Sequence, residues 1–192
     1  MYGVTIAFKN FSPAKGIIGS PWIGFQWFKD FFNSYYIERI ISNTLIINIL
    51  GLVFAFPAPI ILALLLNEIR NDKFKKSVQT ITYLPHFISL VVICGMIHDF
   101  TSRDGIINDL VELLGGERIT MLIQPELFRP IYIISGIWQG VGWGSIIYLA
   151  ALAGIDPELY QAAVIDGANR WKQAWYITLP GILPTIVILL IL

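Results

Sequence analysis

From Ser42 to Leu66 the chain reads SNTLIINILGLVFAFPAPIILALLL, with no charged residue anywhere in the run. A helix crossing a hydrocarbon core about 30 Å thick needs roughly 20 consecutive apolar residues. This stretch is long enough. Lipid offers no partner to backbone N–H and C=O groups, so a run of this kind must bond to itself as a helix. Pro57 and Pro59 remove two donors from the run. They predict a kink that neighbouring helices or polar side chains must repair. Asn43 and Asn48 can supply inter-helix hydrogen bonds worth about 1 kcal/mol each. This helix therefore expects protein on at least one side.

The rest of the chain repeats the pattern. Hydrophobic residues make up 56% of the 192 residues and charged residues 14%, with a mean hydropathy of +0.69; soluble domains carry about 25% charged residues. The reading is an all-α, polytopic membrane protein. Further spans are expected over about 77–100, 130–154 and 181–192. The last is incomplete, because GILPTIVILLIL provides about 12 residues of the roughly 20 required, so the chain reads as a fragment ending inside a span. The opening MYGVTIAFKNFSPAKG lacks the basic and apolar regions of a signal peptide. Residues 1–41 are expected outside the membrane core, and the aromatic run PWIGFQWFKDFFNSYY fits either an interfacial segment or an ordinary packed loop. Cys94 is the single cysteine and lies in an apolar run, so it reads as a packing residue.

Thirteen basic and thirteen acidic residues leave no net charge, which gives nucleic acid no electrostatic footprint. Charge placement is more informative. Arg70, Lys73, Lys75 and Lys76 crowd the connector 67–76, and positive charge in short loops marks the cytoplasmic side. The connector 101–129 is then external, and 155–180 is internal again.

Gly136, Gly140 and Gly144 stand four residues apart in the third span, a spacing that lets a second helix approach backbone to backbone. The partner can be another helix of this subunit or a second subunit. After this span, Asp156 and Pro157 have the chemistry of a helix start and Glu158 favours its first turn. Gly167 can end that helix in the left-handed conformation. A second helix, ANRWKQAWYITL, is expected to lie along the cytoplasmic surface on Trp171, Trp175 and Tyr176, until Pro180 ends it or bends it into the next span. The first helix, slim at Ala162, Ala163 and Gly167, has a shape suited to a groove on another protein.

The stretch YQAAVIDGANRWKQAWYITLP resembles the cytoplasmic signature loop of binding-protein-dependent ABC import permeases. That loop has the pattern E-A-A, three residues, G, nine residues, I, one residue, L-P. Gln161, Ala162, Ala163, Gly167, Ile177, Leu179 and Pro180 fall on it at full spacing, with Gln161 where the family usually has Glu. MYGVTIAFKNFSPAKGIIGSPW, YLPHFIS and AALAGIDPELYQAAVIDGANRW resemble the sugar-importing branch, especially lipo-oligosaccharide and polysaccharide permeases. The resemblance implies part of a type I importer helical bundle in the bacterial cytoplasmic membrane, lacking the first helix, most of the fifth and the sixth. It further implies a loop, including Tyr160, Asp166 and Ala168, that docks into a cytoplasmic ABC ATPase dimer, a second permease subunit, a solute-binding protein and a sugar substrate. Gln161 puts in doubt any salt bridge the family Glu would make, although an amide still hydrogen-bonds.

No GxxxxGK[ST] loop occurs, so ATP hydrolysis is expected in a partner and no catalytic, cofactor or metal site is expected in this chain. Asn48, Trp138 and Gln139 are candidates for a sugar pathway. His86 reads as an interfacial hydrogen-bonding residue. His98 with Asp99 supports a rival reading, a proton-coupled carrier or membrane enzyme.

Overall fold

A computed structural model describes residues 2–192, and among them every regular element is helical. The chain divides into two compact units, residues 1–48 and 49–192. The first opens with a 3-10 segment, Tyr2–Phe8, and two short helices, α1 (Gly16–Gly19) and α2 (Gln26–Phe32). It is organised by Phe8, whose ring stacks on Trp22 at 5.5 Å and meets Phe25 edge-on at 5.3 Å. Lys9 donates from Nζ to the Ile17 carbonyl at 2.8 Å, tying the opening strand of chain to α1.

α3 (Ile37–Leu50) passes through one π turn, Gly51–Ala55, into α4 (Pro57–Glu68). Together they form one helix, Ile37–Glu68, long and apolar enough to cross a membrane. The π turn replaces a sharp break at Pro57. A proline ring clashes with the carbonyl four residues earlier, and widening the preceding turn moves that carbonyl aside while Phe56 N–H still reaches Gly51 O at 2.9 Å.

Asn71 caps α5 (Asp72–Tyr83), its Oδ1 accepting from Lys73 and Phe74 N–H at 3.0 and 3.2 Å. Where the sequence suggested one span over 77–100, the structure has two segments at 103° to one another. Pro85 tightens the chain into a 3-10 turn, Leu84–Phe87. Ile88 and Ser89 are extended, and the Ser89 hydroxyl oxygen caps α6 (Leu90–Thr101). A short amphipathic helix, α7 (Ile106–Leu113), and a 3-10 turn, Met121–Ile123, follow. Then comes the longest uninterrupted α-helix among the described residues, α8 (Pro125–Ala153).

α4, α8 and α11 (Leu179–Ile191) share a core of Ile60, Ala63, Tyr148, Leu152 and Ile182, none more than 9% exposed. Apolar side chains gain little from burial when the alternative solvent is lipid, so close fit is what holds such helices together. The fit is tight on α8. The Pro59 ring carbons lie 3.1 Å from where a Gly144 side chain would begin, and a Cβ at Gly142 would collide with the Thr82 carbonyl of α5. Gly136 and Gly140, the other members of the four-residue stripe, face open space within this chain.

Candidate functional site

The segment after α8 is built by local bonding. Asp156 has an extended backbone and its Oδ1 accepts from Glu158 N–H at 2.9 Å, starting α9 (Pro157–Ile165) with Pro157 in the first turn. α9 ends at Gly167, whose φ of +73° is left-handed. The Ala168 N–H reaches back to Ala163 O at 2.8 Å and Gly167 N–H to Val164 O at 3.1 Å. These are the two bonds of a Schellman motif, which satisfy carbonyls the helix end would otherwise leave unpaired. Asn169 then accepts from Lys172 N–H at 2.9 Å and starts α10 (Arg170–Gln173).

α10 does not stop at Pro180. It runs through a second π turn, Ala174–Thr178, into α11, giving one apolar helix from Arg170 to Ile191. The segment expected along the surface is thus continuous with the next helix long and apolar enough to cross a membrane. The device matches that at Pro57: a π turn just before the proline, closed here by Leu179 N–H on Ala174 O.

A polar strap, not anticipated from the sequence, holds the elbow. Thr178 is 4% exposed and donates to Gln173 O at 3.3 Å. A hydroxyl has one hydrogen, so the Tyr160 hydroxyl is the donor in its 3.1 Å bond to Thr178. Gln173, 5% exposed, donates from Nε2 to Ala168 O at 3.1 Å. α9 is therefore bonded through Tyr160 to the π turn, and the elbow backbone through Ala168 to α10. Ile155 packs against Gly181, its Cδ1 2.7 Å from where a Cβ would stand. Arg170 Nη1 lies 3.7 Å from Glu68 Oε2, which brings the elbow to the end of α4 where the basic connector begins.

The other face of the elbow is open. Gln161, Ala162, Asp166, Gly167 and Pro180 are exposed, while Tyr160, Ala163, Ala168, Ile177 and Leu179 are half-buried. Leu159, Val164 and Ile165 are exposed, Ile165 by 86%. No atom outside the immediate chain neighbours lies within 4 Å of a Cβ position at Gly167.

The candidate sugar-path residues lie in different surroundings. Asn48 is exposed and donates to Thr44 O of its own helix at 2.7 Å. Trp138 lines an apolar groove beside Met96 and Ile97, and Gln139, the next residue, is half-buried. The structure adds a cluster: His86 stacks flat on Trp143, centroids 4.5 Å apart and planes 1° apart, with Phe87 edge-on to the same indole at 5.5 Å. The aromatic residues of YLPHFIS meet α8 because the end of α5 packs against it, with the Thr82 carbonyl beside Gly142. His98 Nδ1 and Asp99 Oδ1 are 3.2 Å apart on the exposed end of α6. Among the described residues no third titratable group joins them in a metal-holding cluster.

Residues 47–192 match the family described as binding-protein-dependent transport system inner membrane component. The chain belongs to this family. Among curated relatives, it is 49% identical to Protein LplB of Bacillus subtilis (strain 168), with 100% of this chain and 61% of LplB covered. It is 48% identical to the polygalacturonan/rhamnogalacturonan transport system permease protein YteP of the same organism, covering 100% of this chain and 60% of YteP. A chain in the crystal structure of a bacterial ABC transporter involved in the import of the acidic polysaccharide alginate superposes with a TM-score of 0.89. That pair is 47% identical over 98% of this chain and 63% of that one. The chain thus spans about three-fifths of the length of these relatives and has the fold of an ABC importer permease.

Proposed function

We propose that the protein containing this chain is the membrane subunit of an ABC importer for oligosaccharides. It would form half of the path across a bacterial cytoplasmic membrane, driven by ATP hydrolysed in a partner. The observation that carries this reading is the elbow at Gly167. It is tied to its own subunit on one side through Tyr160, Thr178 and Gln173, and on the other it offers exposed α9 with Leu159, Val164 and Ile165. A short helix held at its base and bare at its tip transmits a push without melting. α9 then inserts into a cleft of a cytoplasmic ATPase dimer, and closure of that dimer on ATP moves the helices joined to the loop. Gln161 sits on the exposed side as a neutral hydrogen-bonding group.

Family membership supports a second permease subunit and a solute-binding protein as further partners. The relatives named for polygalacturonan and alginate support oligosaccharide fragments of polysaccharides as the cargo class. The exposed Trp143, His86 and Phe87 offer an aromatic surface of the kind that lies against the apolar face of a sugar ring.

Purification of the full-length permease in mild detergent tests the assembly. An ATPase and a second permease are expected to copurify, and uptake of oligosaccharide into proteoliposomes is expected to require internal ATP and added binding protein. Uptake by the permease alone, indifferent to nucleotide, would overturn the reading.

A further inference from the structure

Helix α7, between α6 and α8, carries a feature that the transport reading leaves unused. Its apolar residues Ile106, Leu110 and Leu113, with Leu114 just beyond its end, recur at helical spacing on one face and are 57–89% exposed. Its polar residues Asn108, Asp109 and Glu112 fall on the opposite face. An exposed apolar face on a helix that rolls freely says little. α7 does not roll freely.

Asn108 is fully buried, donates from Nδ2 to Ser102 O at 2.7 Å and to Ile119 O at 2.8 Å, and accepts from Ile119 N–H at 3.2 Å. Arg118 closes the same side from the following loop, 2.7 Å from Asp109 and bonded through Nε to Glu112 at 2.8 Å. The hydrogen bond with Glu112, then that with Asp109, holds the Arg118 guanidinium above its ordinary pKa. Gly105 allows the close turn from α6, since a Cβ there would strike the Asp99 and Phe100 carbonyls. The roll of the helix is thus fixed by bonds to both flanking loops, with its leucines turned outward.

What covers those leucines is indicated by where α7 is joined. It follows α6, whose Leu90, Val91 and Val92 are exposed apolar residues, and it precedes α8, long and apolar enough to cross a membrane. Ile107 joins Phe100, Met121 and Pro130 in lining an apolar groove of about 390 Å³ between α6 and α8. The apolar surface therefore passes from α6 and α8 onto α7. Charge gives no alternative pull, because residues 101–124 hold Asp104, Asp109, Glu112 and Glu117 against only Arg103 and Arg118.

We infer that α7 is a fixed interfacial helix. It lies along the membrane surface where α6 ends and α8 begins, with Ile106, Leu110, Leu113 and Leu114 in the boundary between headgroups and acyl chains. Its attachment is by apolar burial, not by attraction to anionic lipid. It sets the depth at which α6 and α8 sit. This inference rests on the membrane-embedded fold and is independent of the cargo and of the ATPase.

The test uses the full-length transporter in lipid nanodiscs, on a cysteine-free background that includes Cys94→Ser, with a bimane label at Leu113→Cys, at Leu110→Cys in a second variant, and at Glu117→Cys as the polar control. Phosphatidylcholine with a nitroxide near the top of its acyl chain is expected to quench the Leu113 and Leu110 probes at least about threefold more than a water-soluble nitroxide does, with the order reversed at Glu117. Adding anionic lipid is expected to leave this pattern unchanged. Equal aqueous quenching at Leu113 and Glu117 would overturn the inference. So would shielding of Leu113 from both quenchers, which would mean that a protein partner covers the face.

Discussion

Replacing Gly167 separates two explanations for a glycine at the elbow. The residue holds φ at +73°, where an ordinary L side chain costs about 1–2 kcal/mol, less for Asn or Asp. Four hydrogen bonds hold the local geometry: Ala168 N–H to Ala163 O, Gly167 N–H to Val164 O, Gln173 to Ala168 O, and Lys172 N–H to Asn169. At about 1 kcal/mol net each, they contribute roughly 4 kcal/mol. Gly167→Ala therefore leaves the elbow favoured by about 2 kcal/mol, a ratio of roughly 30 to 1. The space around the Cβ is open within the chain, so any larger penalty must come from a partner pressed against that face. If close docking is what demands glycine, uptake should fall in the order Ala, Asn, Asp, with Gly167→Asp inserted normally but uncoupled. If backbone strain alone demands it, Asn and Asp should outperform Ala. Uptake of labelled oligosaccharide into proteoliposomes, normalised to permease in the membrane, reads the order directly. Wild-type uptake by Gly167→Asp, or Ala as the weakest of the three, would refute the docking argument.

Three further outcomes follow from the geometry. Thr178→Val strips both a donor and an acceptor from a buried position and should cost about 1–3 kcal/mol locally, seen as faster proteolysis near Asn169; Tyr160→Phe should cost less. Gly142→Leu should lower the thermal midpoint in detergent by forcing α8 off the Thr82 carbonyl, an overpacking penalty of about 1–3 kcal/mol, whereas Gly140→Ala should leave it unchanged. Arg170→Ala removes an exposed 3.7 Å pair with Glu68 worth at most about 1 kcal/mol. The fold should hold, and a loss of ATPase-coupled uptake in that variant would place Arg170 at the partner's surface.

Those features written in a few consecutive residues were legible without coordinates. Asp156, Pro157 and Gly167 specify a helix start and stop through their own backbone chemistry, and the charge-free run 42–66 leaves lipid as its natural surrounding. What escaped depended on partners distant in sequence. Pro180 reads as a helix end or a bend because a proline's clash is local, and the five-residue π turn before it absorbs that clash so that the helix continues. The bend after Phe87 is hidden by the apolar run that follows it, although Pro85 and the capping Ser89 write it locally. Gly142 lies off the four-residue step, and only the direction from which α5 arrives makes it the most closely approached glycine on α8. Nothing in the local sequence singles out Thr178 and Gln173. Their burial comes from the return of α9 against the π turn.

The central claim is that the tip of α9 inserts into an ATPase, and site-specific photocrosslinking at Ile165 tests it most directly. A photoreactive residue at this 86% exposed position in the full-length transporter should give a covalent adduct with the ATPase, with a yield that changes when ATP is bound. Adducts with lipid or with an external solute-binding protein alone, with none to an ATPase in either nucleotide state, would contradict the account.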